Sequence, residues 1–175
     1  MKTETAITAA LAGRVHEMGA LKTGEIVFSP ELYRTCASNI CGSYNACWTC
    51  PPAVGTLEEQ RATILRWKYA LVFTTKFDLE DSFDAPGMQK ARKIHNRITF
   101  DVKERFSAHP VYGAGGCSVC PACTYPEPCR FPERAVSAVE AAGIDVTALS
   151  RTAHLAYNNG LNTVTYFSML LFNDD

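Results

Sequence analysis

The chain has 175 residues, a net charge of -1 and 47% hydrophobic residues. Length and apolar content suit one domain with a real core, expected to span residues 1–175. The near-neutral charge excludes an overall basic field for nucleic acid or a membrane surface, and the longest apolar stretch, 164–172, is too short to span a bilayer.

In chain order, residues 4–18 read as an amphipathic helix ending near Gly19, and Glu25 to Phe28 as a short strand. A cysteine-rich loop over 36–52 follows, closed by Cys50-Pro51-Pro52, where two prolines forbid a helix and hold the backbone extended. Thr56 and Glu59 form a capping box that starts a helix with Leu57, Ile64, Leu65 and Trp67 on its apolar side. Tyr69 to Phe77, rich in β-branched and aromatic residues, reads as a buried strand.

The clearest helix spans Pro86 to Ser107, with Met88, Ala91, Ile94, Ile98, Val102 and Phe106 as one apolar stripe. Lys90, Arg92, Lys93, Arg97, Lys103 and Arg105 occupy its other faces; a solvated face explains them better than an anionic partner does. A second cysteine loop over 113–132 opens on Gly113-Ala-Gly-Gly116. Pro132 begins a helix ended by Gly143, and Asp145 caps another that runs to about His154. Asn158-Asn159-Gly160 is a turn, and residues 162–172 form a final buried strand. The expected class is α+β: a mixed sheet of few strands packed by helices, with two cysteine-rich cofactor loops.

The 8 cysteines fall into two groups of four. Clustered thiols in a chain with Glu4 and threonines where a signal peptide needs an apolar core suggest metal or redox chemistry in a reducing cytoplasm rather than a disulfide framework. Cys117-x2-Cys120-x2-Cys123-x5-Cys129 resembles the bacterial ferredoxin run, in which consecutive C-x2-C steps wrap one face of a cubane. It departs from that run because Arg130 follows Cys129 directly, with Pro132 two residues later. Gly115 and Gly116 would let backbone N–H groups approach cluster sulfurs. A structural zinc site is the alternative, although zinc sites usually present two separated C-x2–4-C pairs.

Cys36-x4-Cys41-x5-Cys47-x2-Cys50 is less regular, with Tyr44 and Trp48 available to shield a cofactor. If three of its thiols bind, a cubane keeps an open iron able to act as a Lewis acid; if all four bind, electron transfer or structure follows. Cys47 beside Trp48 also reads as a small buried hydrophobe.

The run Cys36-x4-Cys41-Gly-Ser-Tyr44-x3-Trp48-Thr-Cys50-Pro51-Pro52, then Gly115-Gly116-Cys117-x2-Cys120-x2-Cys123-x5-Cys129-Arg130, resembles a cysteine-rich family of predicted metal-binding proteins catalogued as a domain of unknown function. The segment from Val136 to Val146 adds to this likeness, which covers roughly residues 25 to 172. The resemblance implies a metal-binding, iron–sulfur protein without supplying a reaction. It implies Cys36, Cys41 and Cys50 as ligands in the first loop, because the position of Cys47 is not usually cysteine in that family.

Elsewhere, His95 reads as a packed, hydrogen-bonded core histidine, Asp145 as a helix cap, and Arg130 as either an anion contact or a surface ion-pair partner. The expected cofactor is one or two [4Fe-4S] clusters, with zinc as the alternative. Expected partners are a redox protein or a small-molecule substrate, with no nucleic acid and no membrane. Three roles stay open: electron transfer, catalysis at an open iron, and a zinc-stabilised interaction module.

Overall fold

The computed structural model describes residues 2–173 and is α+β. Its centre is an antiparallel pair of ten-residue strands, β2 (Tyr69–Asp78) and β5 (Thr163–Phe172), in register from Tyr69 opposite Phe172 to Asp78 opposite Thr163. On one side β1 (Glu17–Lys22) pairs antiparallel with β2. On the other, β3 (Val111–Gly113) pairs antiparallel with β5 and parallel with the two-residue β4 (Ser137–Ala138). The order is β1-β2-β5-β3-β4, a mixed sheet.

Successive strand side chains point to opposite faces, so the central strands serve two cores. Ala70, Val72, Met169 and Leu171 pack against α3 (Leu57–Ile64), α5 (Val146–Thr152) and the turn that ends at Gly143. Leu71, Phe73, Leu170 and Phe172 pack against α1 (Lys2–Leu11) and α4 (Ala85–Arg105). Burial on both faces explains why the two strands read as continuous apolar runs. Among the described residues no helix is long and apolar enough to cross a membrane.

Several local expectations hold. Thr56 and Glu59 make the reciprocal capping box of α3, and Asp145 accepts from the Ala148 N–H at the start of α5. Others are corrected. The N-terminal helix stops at Leu11 rather than running to 18, and the chain turns through Gly13 and enters β1. The segment at 25–28 is a short 3-10 turn followed by one bridge between Phe28 and Ile144, not a strand. No α-helix runs from Pro132 to Gly143; turns at 132–134 lead to β4 and a single 3-10 turn. Pairing with β3 outcompetes the weak helical preference of Val136 and Val139 there. Residues 51–54 form a turn instead of extended chain.

The buried face of α4 keeps Ala91, Val102 and the expected core histidine, His95, but adds Asn96 and Thr99 to the expected stripe, while Ile94 is 42% exposed. His95 is wholly buried and hydrogen-bonded, Nδ1 to Thr75 Oγ1 at 2.8 Å and Nε2 to Ser168 Oγ at 2.7 Å. Thr99 Oγ1 extends this network to Ser168 at 2.9 Å. A satisfied polar cluster therefore ties α4 to both central strands.

Burial pushes the His95 imidazole down to about 4 from 6.5. The neutral form is the folded one, so its stability is intact above pH 6.5 and declines as pH falls toward 4, where only the unfolded chain takes the proton. We expect about 3 kcal/mol to be lost across that window from this group. Urea denaturation at pH 7, 5.5 and 4.5 checks it. His95→Gln should give a pH slope shallower by about one proton, and an unchanged slope would contradict the assignment.

Candidate metal centre

Both cysteine loops are held by local capping before they meet. Ser29 Oγ accepts from the Leu32 N–H and Pro30 occupies the first turn of a short helix, α2 (Pro30–Thr35), which had no counterpart among the expected elements. Cys36 lies at its C-terminal end and starts a 3-10 turn. Asn39, at φ 52°, accepts on its side chain from the Tyr44 N–H at 3.0 Å. The Asn45 N–H then reaches Pro51 O at 2.9 Å, and the Cys50 N–H reaches Cys47 O at 3.2 Å. The Cys47-Trp48-Thr49-Cys50 segment is thereby closed into a turn with both thiols nearly inaccessible, at 6% and 7% exposure.

The second loop leaves β3 through Gly115, whose φ of +73° needs glycine, and Arg92 of α4 lies against it. At Gly116 the backbone lies directly over the first loop: a Cβ there would stand 3.1 Å from Ser43 Oγ and 3.7 Å from Cys50 Sγ. Four contacts lock the loops together. Thr49 Oγ1 accepts from the Cys117 N–H at 3.3 Å, and Trp48 Nε1 donates to Glu127 O at 2.8 Å. Tyr125 Oη donates to Asn45 Oδ1 at 2.9 Å, and the Trp48 and Tyr125 rings meet edge to face at 5.0 Å. Hence Trp48 anchors the opposite loop.

Between the loops is a narrow cavity of about 20 Å³. Cys117, Cys120, Cys123 and Cys129 line it, together with Cys47 from the first loop and Trp48, Thr49, Arg130 and Phe131. Cys36, Cys41 and Cys50 are not on its wall; Cys50 lies within electrostatic reach of Cys41, and Cys36 of Cys41. The expected division into two groups of four is thus redrawn in space: five thiols line the cavity, Cys50 adjoins it against Gly116, and Cys36 and Cys41 lie off its wall. Among the described residues no three Cys, His, Asp or Glu side chains converge on a single ion position. Soft sulfur donors in a largely apolar wall nevertheless fit a thiophilic metal or an iron–sulfur group in kind.

Electrostatics distinguish the thiols. Cys47 Sγ is held well below the usual thiol range, first by a hydrogen bond from the Cys50 thiol, and further by the Thr49 hydroxyl, the Thr49 N–H and the Cys123 thiol, against the opposing effect of burial. Cys50 keeps the shared proton and moves up, through that same bond and burial. Partial burial raises Cys36, with Cys41 and Glu140 adding to it. Burial also raises Cys117, opposed by N–H groups of Val119 and Val136 that point at its sulfur. Thr49 carried no signal in the cysteine spacing; its role comes from tertiary contact alone.

A family model described as "Predicted metal-binding protein (DUF2284)" matches residues 19–172. The chain belongs to this family. The match begins six residues before the likeness read from the cysteine motifs and ends at the same residue. Comparison with curated proteins and with solved structures gives no match. This family member is therefore a predicted metal-binding protein whose eight thiols are free in the fold.

Removing the Thr49 hydroxyl strands the Cys117 N–H between the loops. Thr49→Val should destabilise the metal-free protein by about 1–2 kcal/mol in urea denaturation. Thr49→Ser, which keeps the hydroxyl, should stay near wild type.

Proposed function

We propose that this protein binds one or two [4Fe-4S] clusters through thiolates of the two loops and exchanges single electrons with a partner. The observation that carries this reading is the meeting of thiols from both loops. Cys47 lines one cavity with Cys117, Cys120, Cys123 and Cys129, and the backbone at Gly116 lies against Cys50 Sγ. Groups held by the two loops would therefore be close together. When bound, such a group supplies reversible one-electron chemistry at a potential tuned by burial and by hydrogen bonds to sulfur.

The surrounding residues suit that role. Trp48 and Phe131 exclude water from the cavity wall, and Arg130 offsets the negative charge of clustered thiolates. The N–H groups of Val119 and Val136 and the Thr49 hydroxyl stabilise anionic sulfur. Lys90, Lys93 and Arg97, exposed along one side of α4, would serve as the docking face for an acidic redox protein. The reading assumes a reducing compartment, the cytoplasm, where free thiols persist.

The volume of the cavity favours a second reading. At about 20 Å³ it has the room of a single ion, so a structural zinc held by the same thiols, stabilising an interaction module, is the alternative.

Purification without oxygen, followed by metal analysis and a visible spectrum, separates the two. The proposal expects brown protein absorbing broadly near about 400 nm, with acid-labile sulfide and about four or about eight iron atoms per chain. Colourless protein carrying stoichiometric zinc would overturn it in favour of the structural role.

A further inference from the structure

Eight cysteines in two sequence groups of four invite the view that each loop fills its own site. The fold divides them otherwise. Cys47 belongs to the first group by sequence, yet it lines the cavity with Cys117, Cys120, Cys123 and Cys129. Two features fix it there. The Thr49 hydroxyl bonds to Cys47 Sγ at 3.3 Å and accepts the Cys117 N–H at 3.3 Å, so one side chain ties the Cys47 sulfur to the second loop. Trp48, the next residue, is pinned to Glu127 O at 2.8 Å and packed on Tyr125. Turning Cys47 back toward Cys36 and Cys41 would cost its contact with the Thr49 hydroxyl, while its backbone stays held by the neighbouring Trp48 and Thr49.

A tetrahedral zinc ion takes four thiolates, and so does a cubane with one cysteine on each iron. The cavity wall offers five. We propose that Cys47 is a ligand for the second loop's site, interchangeable with Cys129, so that the site holds one thiol in surplus. The set formed by Cys36, Cys41 and Cys50 is correspondingly one short. This rests on the metal-binding reading above, and it holds for iron or zinc alike.

The site-specific test uses a chain carrying Cys36→Ser and Cys41→Ser, in which all remaining metal reports on the second site. Metal per chain is counted by native mass spectrometry, with the visible spectrum or the cobalt-substituted spectrum as a second readout. Adding Cys47→Ser alone or Cys129→Ser alone should leave the metal count unchanged while altering the spectrum. Adding both leaves Cys117, Cys120 and Cys123 on the wall, so the metal should be lost to a competing chelator at least about tenfold faster than from either of those variants. A chain with Cys50→Ser and Cys129→Ser controls for loss of a second buried cysteine and should keep its metal.

Loss of metal from Cys129→Ser alone would overturn the proposal, as would a Cys47→Ser, Cys129→Ser pair that holds its metal against chelator as well as either single variant does, or loss in the Cys50→Ser control. A Cys36→Ser, Cys41→Ser chain that holds no metal while the wild type does would also overturn it. Wild-type protein that binds neither iron nor zinc would instead refute the metal-binding function itself.

Discussion

The ladder between β2 and β5 is the constraint on which the remaining architecture depends. Ten opposed residue pairs set one register, and because side chains alternate across the sheet, that register decides which residues meet each helical layer. A slip by one residue would send Val72 and Met169 to the face of α4 and bring Phe73 toward α3. The same ladder positions both cysteine loops. The first feeds through α3 into β2, and the second leaves β3, which is paired to the C-terminal half of β5.

The meeting of the loops follows from small and polar residues rather than from apolar packing. Gly116 permits backbone to lie against Cys50, and Thr49 uses one hydroxyl for two loops. Sulfur atoms from distant parts of the chain are thus assembled where little hydrophobic area is available. The His95 network on the other side of β3 has the same character: Gly113 lies close to Thr99 and Ser168, so the start of the second loop rests on a satisfied polar cluster.

Much of this was legible in the sequence because it depends on local rules. The two long strands, the capping box at Thr56, the Asp145 cap and the turn at Asn158 to Gly160 all depend on residues adjacent in the chain. The errors have a common cause. Residues 132–143 carry Pro, Glu and Ala in a helical order, but β3 offers Ser137 and Ala138 a strand partner that no local pattern announces. His95 was legible as a packed, hydrogen-bonded histidine, but Asn96 and Thr99 were not read on the buried face of α4, since polar side chains face inward only when partners such as Ser118 and Ser168 are already in place. The cysteine spacing showed that two thiol-rich loops exist. It did not show that Cys47 faces the other loop, because that depends on the hydroxyl of Thr49 and the indole of Trp48.

One feature of the sheet edge links metal occupancy to folding. Parallel neighbours such as β3 and β4 need a crossover, and that crossover is commonly a helix that covers the sheet with apolar surface. Here residues 114–136 fill the place with neither helix nor strand. Apart from Ala114 and the core residue Val136, they are half-buried or exposed, so their ordering draws little on the hydrophobic term, while the conformational entropy of fixing them is undiminished. A metal bound by these thiols would add its binding free energy to the contacts that already join the loops. The outermost strand would then be held more firmly in the loaded protein than in the empty one.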